Sequence, residues 1–330
     1  MLKFCRKLLT RQRHCSEGKK IKLAYLFSGQ GGKIAPLDSR LYESFPVFSK
    51  VFQKAAEISG IDFWQMWQTG DVRLEQTRFA QPAIFTLSTA LYRVISNQLP
   101  AAQALVGLSL GEYSALAAAG ALEWDAAFRL IQKRAELMQQ ASEAFPGAMA
   151  AVMSTDTDLI ERVCREISQQ TNQIVQPANY NFPKQTVIGG QTQAVAAAVS
   201  KLTEAGIKRI VDLPVSGAFH TPLMATANDQ FVQELAETDF RPMAINVISN
   251  TTGQAFQAGT IKETLSRQMV SSTRFTDCLL ELQRQGVTQV IELGPGHSLV
   301  SFAKKTIKLD SYQAVSDAQS LDEALAAVSN

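Results

Sequence analysis

Between a short apolar run, Ala104–Gly107, and an Ala- and Leu-rich stretch, Glu112–Ala119, the chain reads Gly107-Leu108-Ser109-Leu110-Gly111. This G-x-S-x-G spacing constrains the fold more than any other feature. A strand must stop, turn within a few residues and become a helix. Small residues two places either side of the serine relieve the crowding such a turn creates. The turn puts the serine hydroxyl at its outer tip and leaves the backbone N–H of Leu110 at a helix start, where it has no intrahelical acceptor. The alternative is a glycine-flanked turn holding an inert serine; the flanking strand and helix favour the elbow.

The rest of the chain supplies a matching sheet. Lys22–Ser28 is a buried strand ending at Gly29-Gln30-Gly31-Gly32. Helices are expected over Leu41–Ser59 and Pro82–Gln98, and strands alternating with helices point to a parallel sheet covered on both faces. From Gly147 to Leu213 the rhythm changes. Strands at Met149–Met153, Ile174–Ala178, Thr186–Gly189 and Arg209–Leu213 surround helices at Asp156–Gln169 and Thr192–Ala205, with Asn179–Pro183 separating the middle strands. That β-α-β-β-α-β order is the ferredoxin-like pattern. The larger pattern then resumes, with a helix after Pro222, a strand at Asn246–Ser249, a helix at Thr260–Met269, and a strand at Val290–Leu293 closing on Gly294-Pro295-Gly296. The expected fold is α/β: an α/β-hydrolase-like parallel sheet core, 21–146 and 214–330, with an inserted ferredoxin-like subdomain, 147–213.

The net charge of +2 is unevenly spread, since residues 1–20 carry seven Lys or Arg against one acid and leave the body at −4. This basic stretch could lie on an anionic membrane, bind nucleic acid or serve as a transit peptide; an untidy, disordered extension is the plainer expectation. It lacks the apolar core of a secretory signal. No apolar run approaches the roughly eighteen residues of a membrane span, so neither stable membrane insertion nor a nucleic-acid partner is expected. Four scattered cysteines (Cys5, Cys15, Cys164, Cys278) make neither a disulfide framework nor a metal site, and the expected compartment is the cytoplasm.

A serine at its ordinary pKa needs a base. Three histidines are available. His14 lies in the extension, and His297 follows the turn Gly294-Pro295-Gly296. His220, in a loop leading to Pro222, is the better placed. Asp212 is the nearest upstream carboxylate, but nothing in the sequence positions it against an imidazole.

Several blocks, in order, carry a resemblance: Phe27–Gly31, Gly107–Leu116 (GLSLGEYSAL), Lys133-Arg134 with Met138-Gln139, Asn179-Tyr180-Asn181, Gly217–Met224 (GAFHTPLM) and Glu292–Gly296 (ELGPG). From about Ile21 to Asp317 the chain resembles the bacterial malonyl-CoA:acyl carrier protein transacylases of fatty acid synthesis. The resemblance implies that Ser109 is the nucleophile, His220 its base, and a backbone carbonyl at Gln268 the group orienting the histidine. It implies an oxyanion hole from the N–H groups of Gln30 and Leu110, and a pocket lined by Asn181 and by Phe219, whose ring limits branching at the α-carbon of the acyl group. Arg134 would pair with the free carboxylate of malonate. A guanidinium suits that carboxylate because it offers two parallel donors. Yet an arginine on a helix is ordinarily a solvated charge, and only the resemblance reverses that reading.

Departures from the family pattern are Leu108, where a histidine is usual, and the first loop, Gly31-Gly32-Lys33 then Pro36-Leu37-Asp38. They bear on loop conformation and on the charge of the site mouth. The implied reaction is ping-pong malonyl transfer from malonyl-CoA to acyl carrier protein, without a cofactor or metal. Lys208 and Arg209 are the candidate carrier-docking residues, with Lys304 and Lys305 second. The alternatives are a trans-acting polyketide acyltransferase, a thioesterase using the same Ser/His pair, and a catalytically silent carrier-binding subunit.

Overall fold

The structure, a computed structural model, describes residues 21–32, 35–215, 217–257 and 259–328. The basic extension 1–20 lies outside the described residues. Among those described, the strands are β1 (Leu23–Phe27), β2 (Ala104–Gly107), β3 (Gly147–Val152), β4 (Val175–Phe182), β5 (Gln185–Gln191), β6 (Ile210–Asp212), β7 (Asn246–Ile248), β8 (Gln289–Leu293) and β9 (Ser311–Val315).

Five of them form a parallel sheet in the order β7-β2-β1-β8-β9. Every residue of β1 and β2 is buried, as a strand covered on both faces requires, so these segments read as unbroken apolar runs. Alternate side chains point to opposite faces. Leu23, Tyr25, Phe27 and Leu105 pack under the helices Pro46–Ser59, Thr77–Ile95, Trp124–Ala144 and Ala225–Glu237. Ala24, Leu26, Ala104 and Val106 pack under Phe275–Arg284 and Ser298–Thr306.

The other four strands form a separate antiparallel sheet in the order β4-β5-β3-β6. Helices Thr157–Thr171 and Thr192–Glu204 bury one of its faces. The opposite face, carrying Met149, Ala151, Ala178 and Val187, packs on Leu213, Val215 and Phe219, so it closes over the segment leading to His220. The fold is thus mixed α/β, with a parallel and a separate antiparallel sheet.

Several boundaries differ from those expected, among them the helix expected over Pro82–Gln98, which runs Thr77–Ile95. The helix expected over Leu41–Ser59 is two helices, Arg40–Ser44 and Pro46–Ser59, because a residue before proline is pushed out of the helical region and Phe45 is extended (φ −123°, ψ 95°). The Asn179–Pro183 separator is largely strand: β4 runs to Phe182, its register adjusted by bulges between Pro177 and Asn179 and between Tyr180 and Phe182. The helix expected over Thr260–Met269 stops at Leu265 and resumes as a single 3₁₀ turn, Gln268–Val270. Strand β9 and the helices Phe63–Thr69, Phe275–Arg284, Ser298–Thr306 and Ala318–Val328 are additional to the elements expected.

The G-x-S-x-G glycines face one another across the elbow. A Cβ on Gly107 would lie 1.9 Å from the Gly111 carbonyl carbon, and one on Gly111 would lie 2.1 Å from the Phe27 oxygen at the end of β1. Backbone cannot retreat from such contacts as a flexible side chain can. Gly107→Ala is therefore expected to destabilise by about 3 kcal/mol or more, the upper end of overpacking costs. A thermal melt several degrees below the parent is the expected reading, and one coinciding with it would contradict this account.

Candidate active site

Ser109 stands at the tip of the elbow with φ +54°, a left-handed conformation unusual for a non-glycine residue. That strain costs about 1–3 kcal/mol and persists only where the surroundings hold it. Here both ends of the residue are held. Its N–H donates to Asn250 Oδ1 (3.3 Å), and its carbonyl accepts from Gln268 Nε2 (3.0 Å) and from the Glu112 N–H (3.1 Å).

His220 reaches the serine through its hydroxyl. Its Nε2 lies 2.9 Å from Ser109 Oγ, and its Nδ1 lies 3.0 Å from the carbonyl oxygen of Gln268. A carbonyl only accepts, so Nδ1 carries the proton and Nε2 presents its lone pair to the serine hydroxyl. Burial, and next the nearby Arg134, push the imidazole pKa down to about 4. At neutral pH it is an uncharged base. His220 also has positive φ (+61°), and its carbonyl accepts from Gln176 Nε2 (3.2 Å), which ties the loop to β4. Asp212 is exposed on β6, and His297 is exposed at the start of Ser298–Thr306; neither hydrogen-bonds the Ser109–His220 pair.

Arg134 is fully buried on the helix Trp124–Ala144. It donates through Nη1 to Gln81 Oε1 (2.6 Å) and through Nη2 to Gln268 Oε1 and Ser109 Oγ (3.0 Å each). The guanidinium carbon lies 5.4 Å from the Tyr113 ring centroid. Nε has no acceptor among the described residues. All the acceptors that are present are neutral. A cation buried without a carboxylate is costly, and an arriving anion relieves that cost. The arrangement is built to receive negative charge within reach of the serine.

The loop after β1 lies directly on the elbow. A Cβ on Gly29 would sit 2.7 Å from the Leu108 oxygen, and one on Gly32 would sit 2.5 Å from the Pro295 oxygen. Buried Glu292 fastens the base of this loop, accepting from Ser28 Oγ and from the Val300 N–H (2.9 Å each). The Gln30 side chain donates to Thr77 Oγ1 (3.2 Å), fixing Gln30 beside the elbow. Leu110 is buried and precedes the first helical residue, Gly111.

The structure thus brings Ser109, His220, Gln268 and Arg134 into one hydrogen-bonded cluster. Phe219 packs between the large core and the antiparallel sheet. Asn181 is not joined to the cluster among the described residues: its amide donates to Gln185 Oε1 (2.9 Å) across the β4–β5 hairpin, while its buried Oδ1 has no donor among them. Lys208 and Arg209 are exposed just ahead of the edge strand β6. Lys304 and Lys305 sit over the rings of Tyr312 (5.8 Å) and Phe182 (4.6 Å).

Three residues of the cluster, Gln81, Glu112 and Asn250, escaped the sequence reading. Only Glu112 left a local trace. Its helical neighbours three and four residues on are Ala115 and Leu116, so a carboxylate there faces apolar side chains rather than a basic partner. Among the described residues no group of His, Cys, Asp and Glu could hold a metal ion, and no helix is long and apolar enough to cross a membrane.

Comparison with known proteins places the chain in a family. Residues 24–323 match the family model for the acyl transferase domain. The malonyl CoA-acyl carrier protein transacylase of Escherichia coli K12 is 34% identical over 92% of this chain and 99% of its own length. An acyl carrier protein S-malonyltransferase from Vibrio cholerae superposes with a TM-score of 0.87 at 39% identity, over 92% of this chain and 99% of that one. The malonyl-transacylase PlMCAT, solved in complex with the holo form of its type II PKS acyl-carrier protein AntF, superposes with a TM-score of 0.87 at 36% identity, again over 92% and 99%. An elbow serine paired with a neutral histidine beside a buried arginine that has no directly paired carboxylate is therefore found in a chain that belongs to the malonyl CoA-acyl carrier protein transacylase family of acyl transferases.

Proposed function

We propose that the protein moves a malonyl group from malonyl-CoA to the phosphopantetheine thiol of acyl carrier protein through a malonyl ester on Ser109. One observation carries the reading: Arg134, fully buried and without a carboxylate partner, lies 3.0 Å from the Ser109 hydroxyl. Ser109 Oγ attacks the thioester carbon and gives its proton to His220 Nε2. The tetrahedral oxyanion is held by the N–H groups of Gln30 and Leu110, each worth about 3 kcal/mol of barrier by analogy with other oxyanion holes. As the C–S bond breaks, His220 returns the proton to the departing CoA thiol. The carrier thiol then enters, gives its proton to His220 and attacks the ester, and Ser109 leaves with that proton. The carbonyl of Gln268 holds the imidazole throughout, and no cofactor takes part.

Asn181 and Phe219 would line the acyl pocket, Phe219 because it lies at the seam between the two sheets' cores. We read the parallel sheet, 21–146 and 214–330, as an α/β-hydrolase-like core, since its elbow follows β2, an interior strand next to the central β1. The segment 147–213 reads as a ferredoxin-like insertion, supported by its β-α-β-β-α-β order and its strand order β4-β5-β3-β6. The cytoplasm is the expected compartment. A thioesterase would use the same serine and histidine, with water in place of the carrier thiol, but has no use for a buried arginine. Intact-mass measurement after mixing with malonyl-CoA, and separately acetyl-CoA, tests the reading. A malonyl adduct on Ser109 that passes to carrier protein supports it, and turnover to free malonate alone would overturn it.

Carrier proteins are acidic while this body is net negative, so docking needs a local basic patch. Lys208 and Arg209 supply one at an exposed sheet edge. Reversing both to Glu is expected to raise the apparent KM for carrier protein about tenfold and flatten its salt dependence. Acylation of Ser109 by malonyl-CoA should be unaffected. Unchanged carrier kinetics across a salt series would move the docking site to Lys304 and Lys305.

A further inference from the structure

We infer that Glu112 is a positioning residue for acylation, fixing the amide orientation of Gln268 and the place of Asn250 and so holding both ends of Ser109 and one edge of Arg134. The inference rests on the proposed acyl transfer at Ser109. Glu112 is wholly buried and makes no direct ion pair among the described residues. Its Oε1 accepts from the Asn250 N–H (2.8 Å), and its Oε2 accepts from Gln268 Nε2. Those two partners grip Ser109. Asn250 Oδ1 accepts the serine N–H, and Gln268 Nε2 donates to the serine carbonyl.

A glutamine amide can sit either way round, and its neighbours decide which. On one side of Gln268 are two acceptors, the Glu112 carboxylate and the Ser109 carbonyl; on the other is an obligate donor, Arg134 Nη2. All three agree on a single orientation. Burial pushes the Glu112 pKa up to about 7, while hydrogen bonds from Ser249, Gln268 and Asn250 oppose that rise. Replacing the carboxylate by an amide sets N–H against N–H on one of its two contacts. If Gln268 flips to escape, its NH₂ faces the guanidinium and the Ser109 carbonyl loses one of its two donors. A residue that merely filled space would be satisfied by an isosteric amide; Glu112 is not.

The test is a double-mutant cycle on the rate at which malonyl-CoA acylates Ser109, read by rapid-quench intact mass on protein whose melt and circular dichroism match the parent. Glu112→Gln is expected to slow acylation about a hundredfold in the parent. In a Gln268→Ala background, where there is no amide left to orient, the same change should cost under about threefold. Equal costs in the two backgrounds, or a folded E112Q that acylates at the parent rate, would overturn the assignment. Should E112Q not fold, Glu112→Asp carries the test. It keeps the charge but withdraws both oxygens by one methylene, and a folded E112D acylating at the parent rate overturns the assignment equally. If the parent itself forms no adduct, it is the acyl-transfer reading that fails.

Discussion

Ser109→Ala is expected to form no acyl-enzyme and to lose about 10⁴-fold or more in turnover. The size follows from how the site divides its labour. Alanine deletes Oγ alone; the elbow, the imidazole and the guanidinium keep their partners through Asn250, Gln268 and Gln81. What remains is a pocket that binds malonyl-CoA with no atom to accept the acyl group. His220, uncharged at neutral pH, would face an empty position rather than a hydroxyl 2.9 Å away. The measurement is intact mass after exposure to malonyl-CoA, with steady-state transfer to carrier protein alongside. A malonyl adduct persisting in Ser109→Ala would remove Ser109 from the mechanism and leave the elbow a purely structural turn.

How far this site could be read from sequence depends on how local each of its parts is. The elbow was legible because Gly107, Ser109 and Gly111 enforce it on one another within five residues, and the 1.9 Å approach of a Cβ on Gly107 gives the reason in steric terms. The parallel sheet was legible because β1 and β2 are buried on both faces and must be apolar throughout. Strand β9, with four of five residues only half-buried, sends no such signal. The hydrogen-bonded cluster is another matter. Asn250 reaches Ser109 across 141 residues of chain and Gln268 across 159, and no periodicity records those meetings. Arg134 has the helical setting of a surface charge until the fold buries it. Gln268 depends on a helix that breaks after Leu265, which propensity did not reveal. Resemblance named Arg134 and Gln268 as individual residues; only the structure shows that one glutamine connects the serine, the arginine, the histidine and a buried carboxylate.

Arg134→Ala is expected to reverse the enzyme's preference rather than abolish its chemistry. Malonyl transfer should fall by about 10³-fold in kcat/KM, since stranding one partner of a buried ion pair costs about 3–5 kcal/mol. Acylation by acetyl-CoA should hold or rise, because an uncharged acyl group has no carboxylate to desolvate and no longer competes with a buried guanidinium. Acetyl adduct on Ser109 also serves as the control for folding, as the substitution leaves Gln81 and Gln268 without their shared partner. A second consequence concerns the base. Arg134 is the lesser of the two influences holding the His220 pKa near 4, with burial the greater, so its removal should let that pKa rise. The acid limb of acetyl-enzyme formation should then move to higher pH in the variant, the direction expected when a neighbouring cation no longer opposes protonation. Arg134→Lys separates charge from shape. It keeps a cation but cannot offer two parallel donors, so it should recover only part of the malonyl rate. If malonyl and acetyl acylation fell together in Arg134→Ala while its melt matched the parent, the arginine would be holding Ser109 in place rather than selecting the substrate, and the malonyl reading would lose the observation on which it stands.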